Sequence, residues 1–144
     1  MAKITSDEGG DVYLASSSTH VDHEAWLIDS SASFHFTPHR GWFCEYEKYD
    51  GGDVFLGDDR KARIVGHGKV KLKLQYGRVI TLLGVLHIPT LARNLIYVSK
   101  LDDTSVKTVF EKDTCKMVQG ALVLMWGVRI GTLYKLQGST VIDG

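Results

Sequence analysis

This sequence is short of several things. Of its 144 residues only two are cysteine and two are proline, and its 17 basic residues are cancelled by 17 acidic ones. Two cysteines as far apart as Cys44 and Cys115 make no disulfide scaffold and fit free thiols in a reducing compartment. A net charge of zero removes the basic excess that draws a protein onto nucleic acid or an anionic membrane surface. No apolar run approaches the ~20 residues of a membrane span. The opening MAKITSDEGGDVYLASSSTH has no basic segment leading into an apolar core, so it does not read as a secretory signal. The expected address is intracellular, in the cytoplasm, with no membrane partner and no direct nucleic-acid binding.

What is present is enough to fold. At 44% hydrophobic and 24% charged residues, the chain has the balance of a globular domain with a modest core. Its segments are short and many alternate. VKLKLQ (70–75) puts Val70, Leu72 and Leu74 on one face and lysines on the other, the period of a half-buried strand. A turn at 75–78 leads into VITLLGVLHI (79–88), so 69–88 reads as a hairpin. DVFLG (53–57) and ARIVG (62–66) read as a second hairpin around the polar tip DDRK (58–61). VKTVFE (106–111), KMV (116–118), ALVLMW (121–126), VRIG (128–131) and LYKL (133–136) continue the series. At most one short helix is expected, around 39–49 or 95–103. The fold class read from this pattern is all-β, mostly antiparallel, with one possible edge strand at 12–15 in a polar N-terminal stretch.

Few residues carry a chemical signature. The pairs His20/His23 and His35/His39 invite a metal, but a zinc site needs three or four ligands at set spacing and no such pattern occurs, so no metal or cofactor is expected. Cys44 has no paired base in its vicinity. Gly66-His67-Gly68 looks like part of a phosphate loop, yet a strand follows it where a helix N-terminus would be required. The tryptophans at 26, 42 and 126 lack a basic groove around them and read as core.

WLIDSSASFH (26–35) is the segment with an open question. Trp26, Leu27 and Ile28 form an apolar run without alternation, as in a strand buried on both faces. Asp29 then ends the run ahead of small hydroxyl residues. From these residues alone it is either a solvated turn aspartate or a carboxylate held at the margin of a core.

The segment resembles the W-x-x-D-S-G-A-S-x-H stretch of the aspartic protease of copia-type long-terminal-repeat retrotransposons, a member of the retropepsins. VFLGDDRKARIVGHGKVKLKL (54–74) is similar to the strand, Gly-Asp and Gly-x-Gly-x-Val pattern at the place of the substrate-covering flap. VLHIPTLARNLIYVSKL (85–101) resembles the segment at the second conserved retropepsin strand, and GTLYKLQG (131–138) the start of the pre-integrase segment. The resemblance spans roughly residues 12 to 138. It implies a small closed β-barrel of the acid-protease kind with a flap hairpin. It divides the chain into a polar stretch at 1–24, a protease domain at 25–130 and the start of a following segment at 131–144. Asp29 takes the position of the catalytic aspartate and Ser30 that of the hydroxyl residue that locks two active-site loops together. Ser31, Ala32, Leu56, Gly57 and Asp58 fall where substrate is bound, with the flap over 54–66 and its tip between Gly57 and Lys61. The implied activity is hydrolysis of peptide bonds in a polyprotein by a homodimer, because one chain supplies only one such aspartate.

Two positions depart from the pattern. Ser31 stands where the family has glycine, and Tyr97 where the retroviral pattern has glycine and copia elements commonly have serine. A serine forced to positive φ costs on the order of 1 kcal/mol. The alternative expectation is therefore a domesticated or decayed protease fold that binds peptide or a protein partner without cutting it. A purely structural β domain is the third. With neither the upstream zinc knuckle nor the downstream integrase zinc segment in the sequence, the chain reads as a short reading frame or an excised piece.

Overall fold

Trp26, Leu27, Ile28 and Asp29 form β1 (Trp26–Asp29), and all four are buried. The computed structural model describes residues 22–29, 34–55, 59–97 and 106–142. β1 lies inside a large sheet with parallel β8 (Asn94–Tyr97) on one side and antiparallel β12 (Leu133–Leu136) on the other. Being covered on both faces, it has no use for polar alternation, which is why its sequence reads as a continuous apolar run.

The remaining strands are β2 (Phe36–Thr37), β3 (Phe43–Lys48), β4 (Asp53–Phe55), β5 (Lys61–Arg63), β6 (Gly66–Leu74) and β7 (Val79–His87). After β8 come β9 (Val106–Glu111), β10 (Thr114–Gln119), β11 (Leu122–Ile130), β12 and β13 (Gly138–Thr140). The main sheet runs β13-β6-β7-β2-β8-β1-β12-β11-β10-β9, with β3 also paired to β6, and β4-β5 form a separate two-stranded sheet. The chain is thus all-β. Its helical content among the described residues is two single 3-10 turns, at Arg40–Trp42 and Gln75–Gly77. Of the two stretches where at most one short helix was expected, 39–49 is the first of these turns followed by β3, and 95–103 is β8 as far as Tyr97, with 98–103 outside the described residues.

The 69–88 hairpin is β6–β7, and the run read as ALVLMW and VRIG is one strand, β11, since Gly127 pairs onward with Leu136 and Cys115 without interrupting it. Residues 131–142, expected to open a following segment, supply β12 and β13, which pair with β1 and β6. The edge strand expected at 12–15 lies outside the described residues.

The sheet curls but does not close by hydrogen bonds among the described strands. One edge of β6 is already shared between β3, over Gly66–Val70, and β13, over Leu72–Leu74, and β9 pairs with β10 alone among the described strands. Side chains bring the curl together instead. Trp26 Nε1 on β1 donates to Thr140 Oγ1 on β13 at 2.9 Å, and Trp126 Nε1 on β11 donates to Gln75 Oε1 at the β6–β7 turn at 3.2 Å.

Because β1 alternates sides, it divides the core in two. Trp26 and Ile28 join a cluster with Trp42, Val70, Leu72 and Ile96. Leu27 faces the other way, into a cluster with Phe36, Leu95 and the hairpin residues Val54, Ala62 and Ile64. Each of these large side chains, once removed from water, contributes about 1.5–3 kcal/mol, so both faces of β1 help hold it in place.

Candidate active site

Asp29 is the last residue of β1, two positions after Leu27, so its side chain leaves the sheet on the face that carries the Leu27 cluster. It is 5% exposed. Its neighbour in the parallel register is Tyr97, the last residue of β8, and Tyr97 packs against that same cluster. The two parallel strands therefore end side by side and present an aspartate and a tyrosine to one region. The solvated turn aspartate considered from sequence is not what forms.

His35 completes the surroundings from the segment that returns to β2. It is 1% exposed, and its Nδ1 accepts the backbone N–H of Tyr97 at 2.9 Å. That bond leaves the ring proton on Nε2 and fixes where β8 ends relative to the 34–37 segment. His35 backbone carbonyl accepts from Leu86 N–H at 2.9 Å, extending the parallel β2–β7 pairing.

The β4–β5 hairpin sits on the same face as Asp29. Its register is Asp53↔Arg63, Val54↔Ala62 and Phe55↔Lys61. Val54, Ala62 and Ile64 anchor its base in the cluster that contains Leu27. Its flank is tied by Ile64 N–H to Gly52 carbonyl at 2.9 Å and by Arg63 Nη2 to Asp50 Oδ1 at 2.8 Å. Asp59 holds φ +69°, a left-handed turn conformation that aspartate tolerates better than most residues. The described arms of the hairpin therefore have an apolar base seated in the core.

Of the residues singled out from sequence, the structure thus places Asp29 and the arms of the hairpin. Ser30, Ser31 and Ala32 after the aspartate, and Leu56, Gly57 and Asp58 at the hairpin tip, lie outside the described residues, as do the positions 98–103 of the NLIYVSKL segment and its sequel.

Asn94 was not singled out, yet it orders the strand pair. It is fully buried, its Nδ2 donates to the carbonyls of His23 (2.8 Å) and Ala25 (3.0 Å), and its Oδ1 accepts from Thr37 Oγ1 at 2.5 Å. One amide thereby fastens the chain entering β1 to β8 and β2. The signal was its place ahead of the apolar run LIY, since an asparagine at the start of a fully buried strand needs partners for every polar atom.

Of the histidine pairs, His20 lies outside the described residues, and His39 has a local role. His39 stacks on Trp42 with ring centroids 4.0 Å apart, and its Nε2 donates to the His23 carbonyl at 3.1 Å. Among the described residues no three His, Cys, Asp or Glu side chains gather as metal ligands would. Cys44 is exposed and Cys115 buried, both as free thiols, and burial pushes the Cys115 thiol up to about 11. No helix among the described residues is long and apolar enough to cross a membrane.

Comparison with known proteins agrees on one lineage. The family model described as Pol polyprotein, beta-barrel domain matches residues 26–106. The chain is similar to the retrovirus-related Pol polyprotein from transposon TNT 1-94 of Nicotiana tabacum, at 36% identity over 110 residues that cover 76% of the chain and 8% of that polyprotein. It is also similar to the Pol polyprotein from transposon RE2 of Arabidopsis thaliana, at 33% identity over 81 residues, 56% of the chain and 6% of that protein. The chain therefore spans less than a tenth of either relative. No solved structure matches it.

Proposed function

We propose a function for this chain from the family it belongs to, the Pol polyprotein β-barrel domains of copia-type retroelements: it is one half of a homodimeric aspartic endopeptidase that processes such a polyprotein in the cytoplasm. The observation that carries this reading is the placement of Asp29. A buried carboxylate ends a fixed central strand, beside Tyr97, on the face where the β4–β5 hairpin is rooted.

In this reading two copies meet about a two-fold axis and bring two Asp29 carboxylates together. Carboxylates that close cannot both ionise, so the pair shares one proton and titrates as a unit. The ionised member takes a proton from a water held between them, and the protonated member polarises the scissile carbonyl. Ser30 braces the two loops, and Ser31, Ala32 and the hairpin residues Leu56, Gly57 and Asp58 line an extended substrate held by strand addition.

Ser31 favours a second reading. If its backbone takes the glycine conformation of the motif, the strain and the added Cβ leave a site that binds an extended peptide without cutting it. One experiment separates the two. Pepstatin-sensitive cleavage of a peptide library between pH 4 and 7, abolished by Asp29→Asn, supports the endopeptidase. An inert wild type with cleavage restored by Ser31→Gly supports the second reading. No cleavage by either protein, with no peptide bound, removes both.

A further inference from the structure

We propose that β9 is a self-pairing edge, and that two copies of this chain join there into one continuous antiparallel sheet. β9 is the last strand in the sheet order: β10 occupies one of its edges, and among the described residues no strand lies on the other. Exposed edges are usually blunted by a proline, a bulge or charged side chains, lysine above all. β9 has no proline and no bulge, and the charges it carries, Lys107 and Glu111, are opposite in sign. Its register with β10 runs unbroken over six pairs, and its sequence VKTVFE contains no proline. Two of its apolar side chains stand in the open, Val109 at 39% and Phe110 at 51% exposure.

The charges select a second copy of the same strand. In an antiparallel pair related by a two-fold axis normal to the sheet, facing residues share one side of it, so the axis must pass through a residue position. Centred on Val109, the pairing sets Lys107 of each copy against Glu111 of the other, with Val109 facing itself between two opposite-charge pairs. Centring on Thr108 sets Lys107 against Val109, and centring on Phe110 sets Glu111 against Val109. Only the Val109 centre matches charge to charge. On the opposite side Thr108 then faces Phe110, whose ring rests against Tyr134 at 5.6 Å and is already oriented. Cross-strand pairs of these kinds each favour association.

This contact is separate from the one the peptidase reading needs. It uses the outer edge of β9, four strand positions from β1 along the path β1-β12-β11-β10-β9, whereas that reading uses the end of β1. A chain that uses both contacts builds assemblies larger than a dimer.

Sedimentation velocity of wild type and three variants tests the proposal without reading activity. Lys107→Glu and Glu111→Lys each turn both symmetric pairs into like charges, and each weakens self-association about tenfold or more at low salt. The double reversal restores it. In a Cys44→Ser background, Val109→Cys gives a disulfide-linked dimer on mild oxidation, because facing strand residues have Cα atoms within disulfide range. Association indifferent to both single reversals overturns the proposal. So does cross-linking through Val109→Cys no faster than through the control Lys71→Cys, a position exposed on β6.

Discussion

Gly66→Ala is the substitution whose cost the structure specifies most closely. Gly66 opens β6 between Lys48 on β3 and His87 on β7. The Tyr46 side chain reaches across it, and its hydroxyl bonds His87 Nδ1 at 2.8 Å. A Cβ at position 66 would lie 2.7 Å from Tyr46 Cε1 and closer still to Cζ and Oη. The phenol is held by three neighbours. Phe43 packs edge-on at 5.1 Å, His87 holds the hydroxyl, and the Arg40 guanidinium lies 3.6 Å from the ring centroid. Overpacking a fixed site costs about 1–3 kcal/mol, a sizeable part of the roughly 5–15 kcal/mol that holds a domain folded. At about 3–4 °C per kcal/mol for a chain of this size, the thermal midpoint falls by about 3–12 °C. In a Tyr46→Ala background the obstacle is gone. There Gly66→Ala costs less than ~0.5 kcal/mol, or stabilises, since alanine loses less backbone entropy in a strand than glycine. Circular dichroism melts of the four proteins measure the coupling. Equal costs in the two backgrounds would refute the argument that Tyr46 crosses β6 over Gly66.

Other consequences are simpler to read. Burial lowers the His87 ring below its usual 6.5; the Pro38 carbonyl pulls the other way and the Arg40 charge adds to the lowering. The unfolded chain therefore binds that proton more readily, so stability is complete above about pH 6.5 and declines as pH falls below it; His87→Gln should flatten that part of the melting-temperature profile. Thiol titration at pH 8 should find one reactive cysteine in the native protein, the exposed Cys44, and two in urea, because Cys115 is buried and its thiolate disfavoured. Leu27→Ala should cost about 2–5 kcal/mol, as it opens a hole beneath both β1 and the hairpin. Thr140→Val should cost about 1 kcal/mol by stranding the Trp26 indole N–H, measured as a shift in urea midpoint.

Local pattern made much of this fold legible. The alternation of VKLKL and the turn after it mark β6–β7, and the unbroken WLI run marks a strand covered on both faces. Long-range pairing was not legible. Nothing in LYKL says that it lies against β1, because the partner is chosen by how the whole sheet curls. Across 39–49, one of the two places where at most one short helix was expected, strand wins for a related reason: Trp42 and Phe43 are claimed by the core that contains Val70, and β6 draws the following residues into a ladder. Tertiary packing overrides weak helix propensity. At the candidate site the residues alone left Asp29 between a turn aspartate and a held carboxylate, and the resemblance to the copia-type protease singled it out. Asn94 left a fainter signal, a polar residue opening an apolar strand, and His35 none, since their work is to satisfy buried backbone groups that exist only once β1, β2 and β8 are together.

The central claim is that two copies of Asp29 make one catalytic site. It is tested most directly by mixing. Wild-type chain is equilibrated with increasing proportions of Asp29→Asn at constant total concentration, and cleavage of a library-derived peptide is followed. If each site needs an aspartate from both copies, activity falls as the square of the wild-type fraction, so an equal mixture retains about one quarter. A linear fall, with one half retained, would mean that each chain works alone and would contradict the account.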